Sequence, residues 1–367
     1  MSTEDEKARY DRQIRVWGAE AQSRIQNSTV LLCGLRGLNV EVCKNIVLAG
    51  VNITIQDDSA VSVHDLSSNF FLRAGDVGQS TVLASLPRIQ QLNSFATVTT
   101  ETRSLDSLED AFFARFTVVL VAARGHTQEQ ALRVDRLCRA SSASSSAPSS
   151  APSSASSPPP HAVFFLSDVF GDEATFFADF GTGFQYALDK KTAPAGDKPP
   201  TAEQQQRDFK AASAIHTMSS PALEAALAAP WHSLASRHFP LNKTFLKARL
   251  IATFRNAAGC SPLQRPPDAW LTHCSALLAA QLVDASFFTA EELLATRAVS
   301  DAVPVTTCST LGSFLAQEVI KAVSRSGEPA CYVDDDGRGG RLKTVLNVVV
   351  LGADFAVKGM PVGSVSC

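Results

Sequence analysis

The chain has 367 residues, a length that fits about two domains or one domain with large insertions. Its formal net charge of −3 argues against a general nucleic-acid binder, and no apolar run approaches the roughly 18 residues needed to span a bilayer. The N-terminal segment "MSTEDEKARYDRQ" is polar and unlike a secretory signal. We therefore expect a cytosolic or nuclear protein with neither nucleic-acid nor membrane partners.

The N-terminal segment, residues 10–26, has the spacing of an amphipathic helix. Its apolar face consists of Tyr10, Ile14, Trp17 and Ala21. Arg12 and Arg15 fall on a different face, where they are free to contact something outside the core of this chain. We predict one helix here that presents two arginines to its surroundings.

The elements that follow predict an alternation of strand and helix. The apolar run Thr29–Cys33 is typical of a strand that is buried on both faces of a parallel sheet. Residues Leu38–Ala49 have helical periodicity and precede Gly50, a residue type that is common just after a helix end. Residues 51–56 then form a second predicted strand, which leads into Asp57.

The same alternation continues along the chain. The run "FTVVLVAA" is typical of another buried strand, and residues 127–139 have a helical pattern. Apolar strands resume at "HAVFFLSDVFG" and "ATFFADFG". This order predicts an α/β fold with a doubly wound, Rossmann-like sheet.

Two polar stretches interrupt that pattern. Residues 140–160 consist only of Ser, Ala and Pro, so we expect them to be disordered. A tolerated expansion of a surface loop is favoured there over a modified tether. The stretch "KKTAPAGDKPPTAEQQQRD" precedes a region of helical character, residues 209–297, which predicts a helical insertion. A last helix, "TLGSFLAQEVIKAVS", and strands around "TVLNVVVLG" close the chain.

The loop in "VLLCGLRGLN" has the setting of a nucleotide-binding loop but only part of its glycines. In such a loop the first glycine makes the turn, the second lets the backbone approach the phosphates, and the third lets helix pack on strand. Gly34 holds the first place, whereas Arg36 and Asn39 hold the second and third, with Gly37 between them. Asp57 stands where a ribose-binding acid belongs, although acids are also common in such turns. Gly34, Gly37 and Asp57 therefore predict a degenerate, non-functional nucleotide site.

The cysteines show no metal-binding spacing. They are Cys33, Cys43, Cys138, Cys260, Cys274, Cys308, Cys331 and Cys367. No two of them form a C-x-x-C pair, so we expect no metal site in this chain. Cys33, Cys43 and Cys308 lie in apolar patterns and are predicted to be small buried residues rather than reactive thiols.

Five motifs in a fixed order resemble those of the SUMO-activating enzymes, in particular of their smaller subunits. The motifs are "YDRQIRVWGAEAQSRI", "VLLCGLRGLNVEVCKNIVLAGV", "DLSSNFFL", "SDVFG" and "LAQEVIKA". The resemblance covers most of the chain outside the Ser/Ala/Pro tract and parts of the helical insertion. Neighbouring families are the ThiF/MoeB-type adenylating enzymes and the regulatory subunit of the NEDD8-activating enzyme, which is considerably longer.

The resemblance implies that two related adenylation folds pair as a pseudo-dimer. The larger partner then holds the ATP, the Mg²⁺, a zinc site and the thioester cysteine, while the smaller subunit lends an arginine across the interface. That arginine matches Arg12, with Arg15 as a weaker second candidate. Active members place a Mg²⁺-binding aspartate where this chain has "VAARGH", and a phosphate-binding lysine where it has Gln79.

The resemblance also implies a domain organisation. Residues 1–139 form the first part of an inactive adenylation domain, 140–160 an insertion, and 161–190 a continuation of the sheet. Residues 191–300 form a polar linker and the helical insertion, and 301–367 complete the adenylation domain.

The partners implied by the resemblance are the larger subunit, in an obligate heterodimer, and SUMO. No cofactor is expected in this chain itself, because the partner binds ATP and Mg²⁺. The implied location is the nucleus and the cytoplasm. Leu66, Phe70, Phe71 and the helix around Leu315 are expected to be buried, either against the partner or against the sheet.

Two alternatives stay open at this stage. The first is a self-contained nucleotide enzyme, either a homodimeric adenylating protein or an NAD-dependent dehydrogenase. Such an enzyme needs an intact glycine loop and a catalytic acid or base, and neither is evident. The second is a non-catalytic scaffold, comparable to a NEDD8-activating regulatory subunit. Replacement of Arg12 by alanine distinguishes a scaffold from an arginine donor.

Overall fold

The computed structural model describes residues 3–140, 162–187, 215–234, 241–327, 329, 332–335, 342–345, 348–352 and 357–360. The helices are α1 (Thr3–Trp17), α2 (Ala19–Asn27), α3 (Leu38–Ala49), α4 (Thr81–Gln90), α5 (Asp110–Phe113), α6 (Gln128–Ala140), α7 (Leu223–Ala228), α8 (Lys243–Ala258), α9 (Pro267–Ala280), α10 (Ala290–Val299) and α11 (Val305–Ser324). The strands are β1 (Thr29–Cys33), β2 (Asn52–Gln56), β3 (Val98–Glu101), β4 (Val118–Ala122), β5 (Val163–Phe170), β6 (Glu173–Asp179), β7 (Phe184–Ala187), β8 (Ile215–Met218), β9 (Tyr332–Asp335), β10 (Leu342–Val345), β11 (Val348–Leu351) and β12 (Val357–Met360).

One large sheet organises the molecule, with strand order β12-β11-β6-β5-β4-β1-β2-β3. The strands β3, β2, β1, β4 and β5 run parallel, and β6, β11 and β12 extend the sheet in antiparallel fashion. The order of the parallel part places β1 at the centre, with the chain crossing to β4 on its other side. This is the topology of a doubly wound, nucleotide-binding type of sheet, so the predicted fold class is confirmed.

Helices cover both faces of the sheet, and the alternation of side chains in β1 shows how. Val30 and Leu32 face the layer that contains α3 and α11, whereas Leu31 and Cys33 face the layer that contains α6 and the helices α7–α10. All four side chains are fully buried because parallel strands are covered on both faces. The helices α7–α10 correspond to the predicted helical insertion.

Several predicted elements have the expected bounds. The strand Thr29–Cys33 and the helix Leu38–Ala49 are confirmed, and Gly50 ends that helix with a φ of 95°. The burial of Cys33, Cys43 and Cys308 is also confirmed. Burial raises the pKa of the Cys308 thiol to about 12, which keeps it protonated and unreactive.

Other predictions were wrong or lie outside the described residues. The helix predicted over residues 10–26 is two helices, because the chain turns at Gly18, whose φ is 91°. Within the region predicted to be helical, Ile215–Met218 is instead a strand that pairs with β7. The Ser/Ala/Pro tract lies outside the described residues apart from residue 140, and so does the whole of the second polar stretch. The proposed domain limits stay a prediction.

The apolar residues expected to be buried against the partner or against the sheet divide between core and surface. Phe71 and Leu315 pack in the core against the sheet. Phe70 is 38% exposed, and Leu66 is partly exposed. Among the described helices, none combines the length and the apolar character that crossing a membrane requires.

Candidate functional site

The loop between β1 and α3 turns as the glycine pattern predicts. Gly34 has a φ of 84° and Gly37 a φ of 54°, both in the left-handed region that favours glycine. The Gly34 N–H donates to the carbonyl oxygen of Gln56 at 2.7 Å, which fixes the loop to the end of β2. The first residues of α3 follow directly after Gly37. The backbone of a phosphate-binding turn is therefore present.

A histidine covers the first glycine of this turn. A Cβ atom on Gly34 would lie 3.0 Å from Cε1 of His126 and 3.3 Å from the Cβ of Ala122. The His126 ring is held in place by Nδ1, which lies 2.8 Å from the carbonyl oxygen of Ala122. The imidazole therefore packs directly against the first glycine of the turn.

Asn39, at the third glycine position, is fully buried and completely used by the fold. Its Nδ2 donates to the carbonyl oxygens of Cys33 at 3.2 Å and Gly34 at 2.9 Å. Its Oδ1 accepts a hydrogen bond of 3.0 Å from the hydroxyl of Ser167 on β5. Asn39 thus stabilises the turn by side-chain hydrogen bonds, in place of the close helix–strand contact that glycine allows.

Asp57 is also occupied by its own chain. Its Oδ2 accepts from the N–H of Leu35 at 2.9 Å, and its Oδ1 accepts from the N–H of Ser59 at 2.9 Å and from the Ser59 hydroxyl. Arg36 adds a long ion pair, with Nε 3.9 Å from Oδ2. Since the side chain is 4% exposed, both oxygens act as acceptors inside the fold rather than towards a ribose.

An arginine–carboxylate network closes the same edge of the sheet. It consists of Arg124 after β4, Asp168 on β5, Arg255 on α8 and Asp301 after α10. Nη1 of Arg255 lies 3.4 Å from Oδ2 of Asp168, and its Nη2 lies 3.3 Å from Oδ1 of Asp301. Both arginines donate to the carbonyl oxygen of Ser300, at 3.0 Å and 2.7 Å. The helical insertion is thereby joined to the carboxyl ends of β4 and β5.

Little space remains between these groups. The cavity lined by Arg36, Arg124, Asp168 and Val303 has a volume of about 10 Å³, enough for about one water molecule. Burial lowers the pKa of Arg124, and the Asp168 carboxylate opposes that shift. A guanidinium at this strand end cannot ligate Mg²⁺. Within the described ranges, no group of three His, Cys, Asp or Glu side chains is placed to hold a metal ion. The assignment of Gly34, Gly37 and Asp57 to a degenerate nucleotide site stays a prediction.

The two arginines of α1 lie apart from this edge. Tyr10 is buried, accepts a hydrogen bond of 2.8 Å from Nδ2 of Asn93, and packs against Gly50. Gly50 and Asn93 both lie shortly before parallel strands begin, so α1 is anchored at the amino ends of β2 and β3. The glycine loop and Asp57 lie at the carboxyl ends. The structure thus places the predicted site residues in two separate groups.

Arg12 and Arg15 differ in what they contact. Nη2 of Arg15 lies 2.9 Å from Oδ2 of Asp11. Arg12 is exposed, and within the described part of the chain it makes no hydrogen bond and no ion pair. The acid beside Arg12 in sequence is therefore engaged by Arg15.

Sequence analysis missed the groups that close the loop. His126 and Arg124 belong to the "VAARGH" segment, which indicated only the lack of an aspartate. Arg255 and Asp301 come from the helical insertion and its exit, far along the chain from Asp168. The one local sign that the loop is closed was Arg124, a positively charged residue just after β4.

Comparison with known proteins gives a consistent result. The ThiF family matches residues 10–142. SUMO-activating enzyme subunit 1 of Xenopus tropicalis is 31% identical over 343 residues, which cover 89% of this chain and 91% of that protein. The proteins of the same description from Rattus norvegicus and Homo sapiens are 31% and 30% identical over 342 residues, again 89% of this chain and 90% of each relative.

Proposed function

We propose that this chain, which belongs to the family of SUMO-activating enzyme subunit 1, pairs with a larger subunit and lends Arg12 to the ATP site of that partner. The heterodimer would adenylate the C-terminus of SUMO and pass it to a cysteine of the larger subunit. ATP and Mg²⁺ would be held by the partner, and this chain alone would be inactive. We further propose that it acts in the nucleus and the cytoplasm, which imaging of the tagged chain would test.

The observation that carries this proposal is the free guanidinium of Arg12. It projects from a helix whose position is fixed by the buried Tyr10, and no described residue of the chain pairs with it. Arg15, only three residues further on, already has a carboxylate partner. An exposed arginine on an anchored helix suits a group that acts on another protein.

The chemistry proposed for Arg12 requires only fixed positive charge. Attack of a carboxylate on the α-phosphate of ATP brings several negative charges together. A guanidinium offsets them with bidentate hydrogen bonds and needs no proton transfer. Arginines supplied in trans to other phosphoryl-transfer enzymes are worth about 10³–10⁵ in rate. We expect a smaller contribution here, about 10²-fold, because the partner supplies its own site.

The closed loop argues against a self-contained nucleotide enzyme. His126 covers the turn, Asn39 replaces the glycine that would allow close packing, and both oxygens of Asp57 are bound by the chain itself. A dehydrogenase or a homodimeric adenylating enzyme would need this space for its own nucleotide. The same fold can still support catalysis if the nucleotide lies in a related partner.

Exposed apolar side chains are consistent with a partner. Val16, on the same helix as Arg12, is 79% exposed, and Val63 is 71% exposed. Phe70 lies close to Val63 in sequence, within the "DLSSNFFL" motif. An obligate interface would bury more than about 2,000 Å² and be rich in such contacts. We therefore propose that these side chains lie in or near the heterodimer interface.

The test is ATP–pyrophosphate exchange by the reconstituted heterodimer with SUMO, comparing Arg12→Ala with the native chain. We expect the rate to fall about 10²-fold while gel filtration shows an unchanged complex. Arg15→Ala is the matched control, and it should retain most of the activity because its charge is already paired with Asp11. Full exchange by the Arg12→Ala complex would instead identify a non-catalytic scaffold.

A further inference from the structure

A second cavity lies between the sheet and the helical insertion, and it shares Ser167 and Asp168 with the small cavity at the glycine loop. Its volume is about 100 Å³, and it is bounded by β5 and β6 on one side and by α7 and α8 on the other. Leu166, Phe177, Leu223, Phe245 and Ala248 provide apolar walls. An engineered cavity of about 150 Å³ holds benzene, so this space can accept a chain of a few carbon atoms.

One charged side chain enters this apolar space without a matching acid. Arg249 lines the cavity, and its Nη2 donates to the carbonyl oxygen of Leu227 at 3.2 Å. Among the described residues this is its single hydrogen bond, and no carboxylate pairs with it. The remaining N–H groups of the guanidinium therefore have no protein acceptor there. Burial lowers the pKa of Arg249 to about 10, with no acid opposing the shift.

Two other polar side chains of the cavity wall, Asp168 and Ser167, are already engaged. Asp168 pairs with Arg255 and accepts from the N–H of Val169 at 2.9 Å. Ser167 donates to Asn39. Arg249 is half-buried, so the carboxylate of an entering anion would pair with its guanidinium in place of water. The site thus combines apolar walls with one cation that no described acid neutralises.

We propose that this cavity binds a small aliphatic monocarboxylate, with the carboxylate on Arg249 and the hydrocarbon chain between the sheet and α7. A guanidinium matches a carboxylate through two parallel hydrogen bonds, which gives the site its preference for acids over neutral molecules. The volume selects acids of about four to six carbon atoms. Acetate is too short to use the apolar walls, and decanoate is too long to enter.

Calorimetric titration of the full chain with pentanoate tests this site. We expect saturable binding of pentanoate at millimolar concentrations or below, and at least tenfold weaker binding of 1-pentanol, acetate and decanoate. Arg249→Met keeps an unbranched apolar stem and removes the guanidinium with its charge, so it should weaken pentanoate binding at least tenfold. Arg136→Met, on the exposed surface of α6, is the matched control and should leave binding unchanged.

A second variant separates loss of the site from loss of folding. Ala252→Leu fills the cavity while keeping Arg249, and it should abolish pentanoate binding in a chain that melts at or above the native temperature. Equal affinity for pentanoate and 1-pentanol would overturn the proposal, because the guanidinium would then contribute nothing. Unchanged affinity in Arg249→Met would overturn it as well.

Discussion

The carboxyl edge of the parallel strands and the outer surface of α1 both carry arginines, but they use them in opposite ways. At the strand edge, Arg124 and Arg255 are held by Asp168, Asp301 and the carbonyl oxygen of Ser300. On α1, Arg12 has no partner in the described chain. The strand edge is where this type of fold places its ligand. Here Arg124, Asp168, Arg255 and Asp301 instead connect the helical insertion to the sheet, and we call this network the joint.

This contrast suggests how a fold can keep its architecture while the residues that act on a ligand lie at a different place in it. The joint fixes the helical insertion to the sheet by balancing charges inside the chain. Within the described chain, the charge of Arg12 is left unbalanced. Four substitutions test this division, and they are ordered below from the largest expected effect to the smallest.

Asp168→Ala should break the joint. Arg255 would lose the more buried of its two acids and keep Asp301 and the carbonyl oxygen of Ser300, so we expect the unfolding free energy to fall by about 2–3 kcal/mol. Urea denaturation measures this loss. Asp11→Ala, which removes the exposed partner of Arg15, is the control and should leave stability unchanged within error. Equal effects of the two substitutions would mean that the joint is no more structural than the α1 surface.

Asp135→Asn tests a buried acid that lies outside the joint and has another acid, Asp179, beside it. Burial and the neighbouring Asp179 raise the pKa of Asp135 to about 8. The folded chain therefore keeps a proton that the unfolded chain releases above about pH 4. The stability contributed by Asp135 is full below about pH 4 and is lost as the pH rises to about 8.

In Asp135→Asn this pH dependence should be weaker, and the variant should gain stability relative to the native chain between pH 4 and 8. A gain of more than about 1 kcal/mol is expected, since one pKa unit corresponds to 1.36 kcal/mol. Thermal denaturation at a series of pH values measures it. Parallel curves for the two proteins would show that Asp135 is ionised in the fold.

Gly50→Ala tests the anchor that positions Arg12. Gly50 has a φ of 95°, and a Cβ there would lie 2.7 Å from Oη of Tyr10. Gly78 has a similar φ of 86° but no atom within 4 Å of its Cβ position, so Gly78→Ala carries the backbone cost alone. We expect Gly50→Ala to be less stable than Gly78→Ala by about 1 kcal/mol and to lower exchange by the heterodimer. Equal stability would indicate that Tyr10 moves without cost.

Arg36→Gly restores the second glycine of the loop and should have the smallest effect. His126 and Asn39 would still occupy the turn, and Asp57 would still bind the backbone. Titration with ATP and Mg²⁺ should therefore show no binding by the isolated variant. Binding by Arg36→Gly, with none by the native chain, would show that Arg36 alone closes the site.

Sequence patterns captured the elements whose periodicity is local. A strand that is buried on both faces has a continuous apolar run, and this run predicted β1. A helix has apolar residues at helical spacing, and this spacing predicted α3. The break at Gly18 left no such signature, since the apolar positions on either side keep the helical period. Ile215–Met218 follows a stretch of helical composition, and its strand depends on pairing with β7.

The candidate site was predictable only in part for the same reason. The absence of two glycines was visible in "GLRGLN", but the groups that fill the space come from distant segments. His126 lies over Gly34, and Arg255 meets Asp168 across 87 positions of sequence. Contacts of that range depend on packing, which no local pattern encodes. The lack of an ion-pair partner for Arg12 also depends on a contact in the folded chain, because Arg15 forms the ion pair with Asp11.

The most direct measurement of the central claim is ATP–pyrophosphate exchange with SUMO present, using this chain alone, the larger subunit alone, and the two together. We predict exchange in the mixture far above that of either protein by itself, and none from this chain alone. Exchange catalysed by this chain alone would contradict the account, because the loop at Gly34 would then accept a nucleotide despite His126 and Asn39.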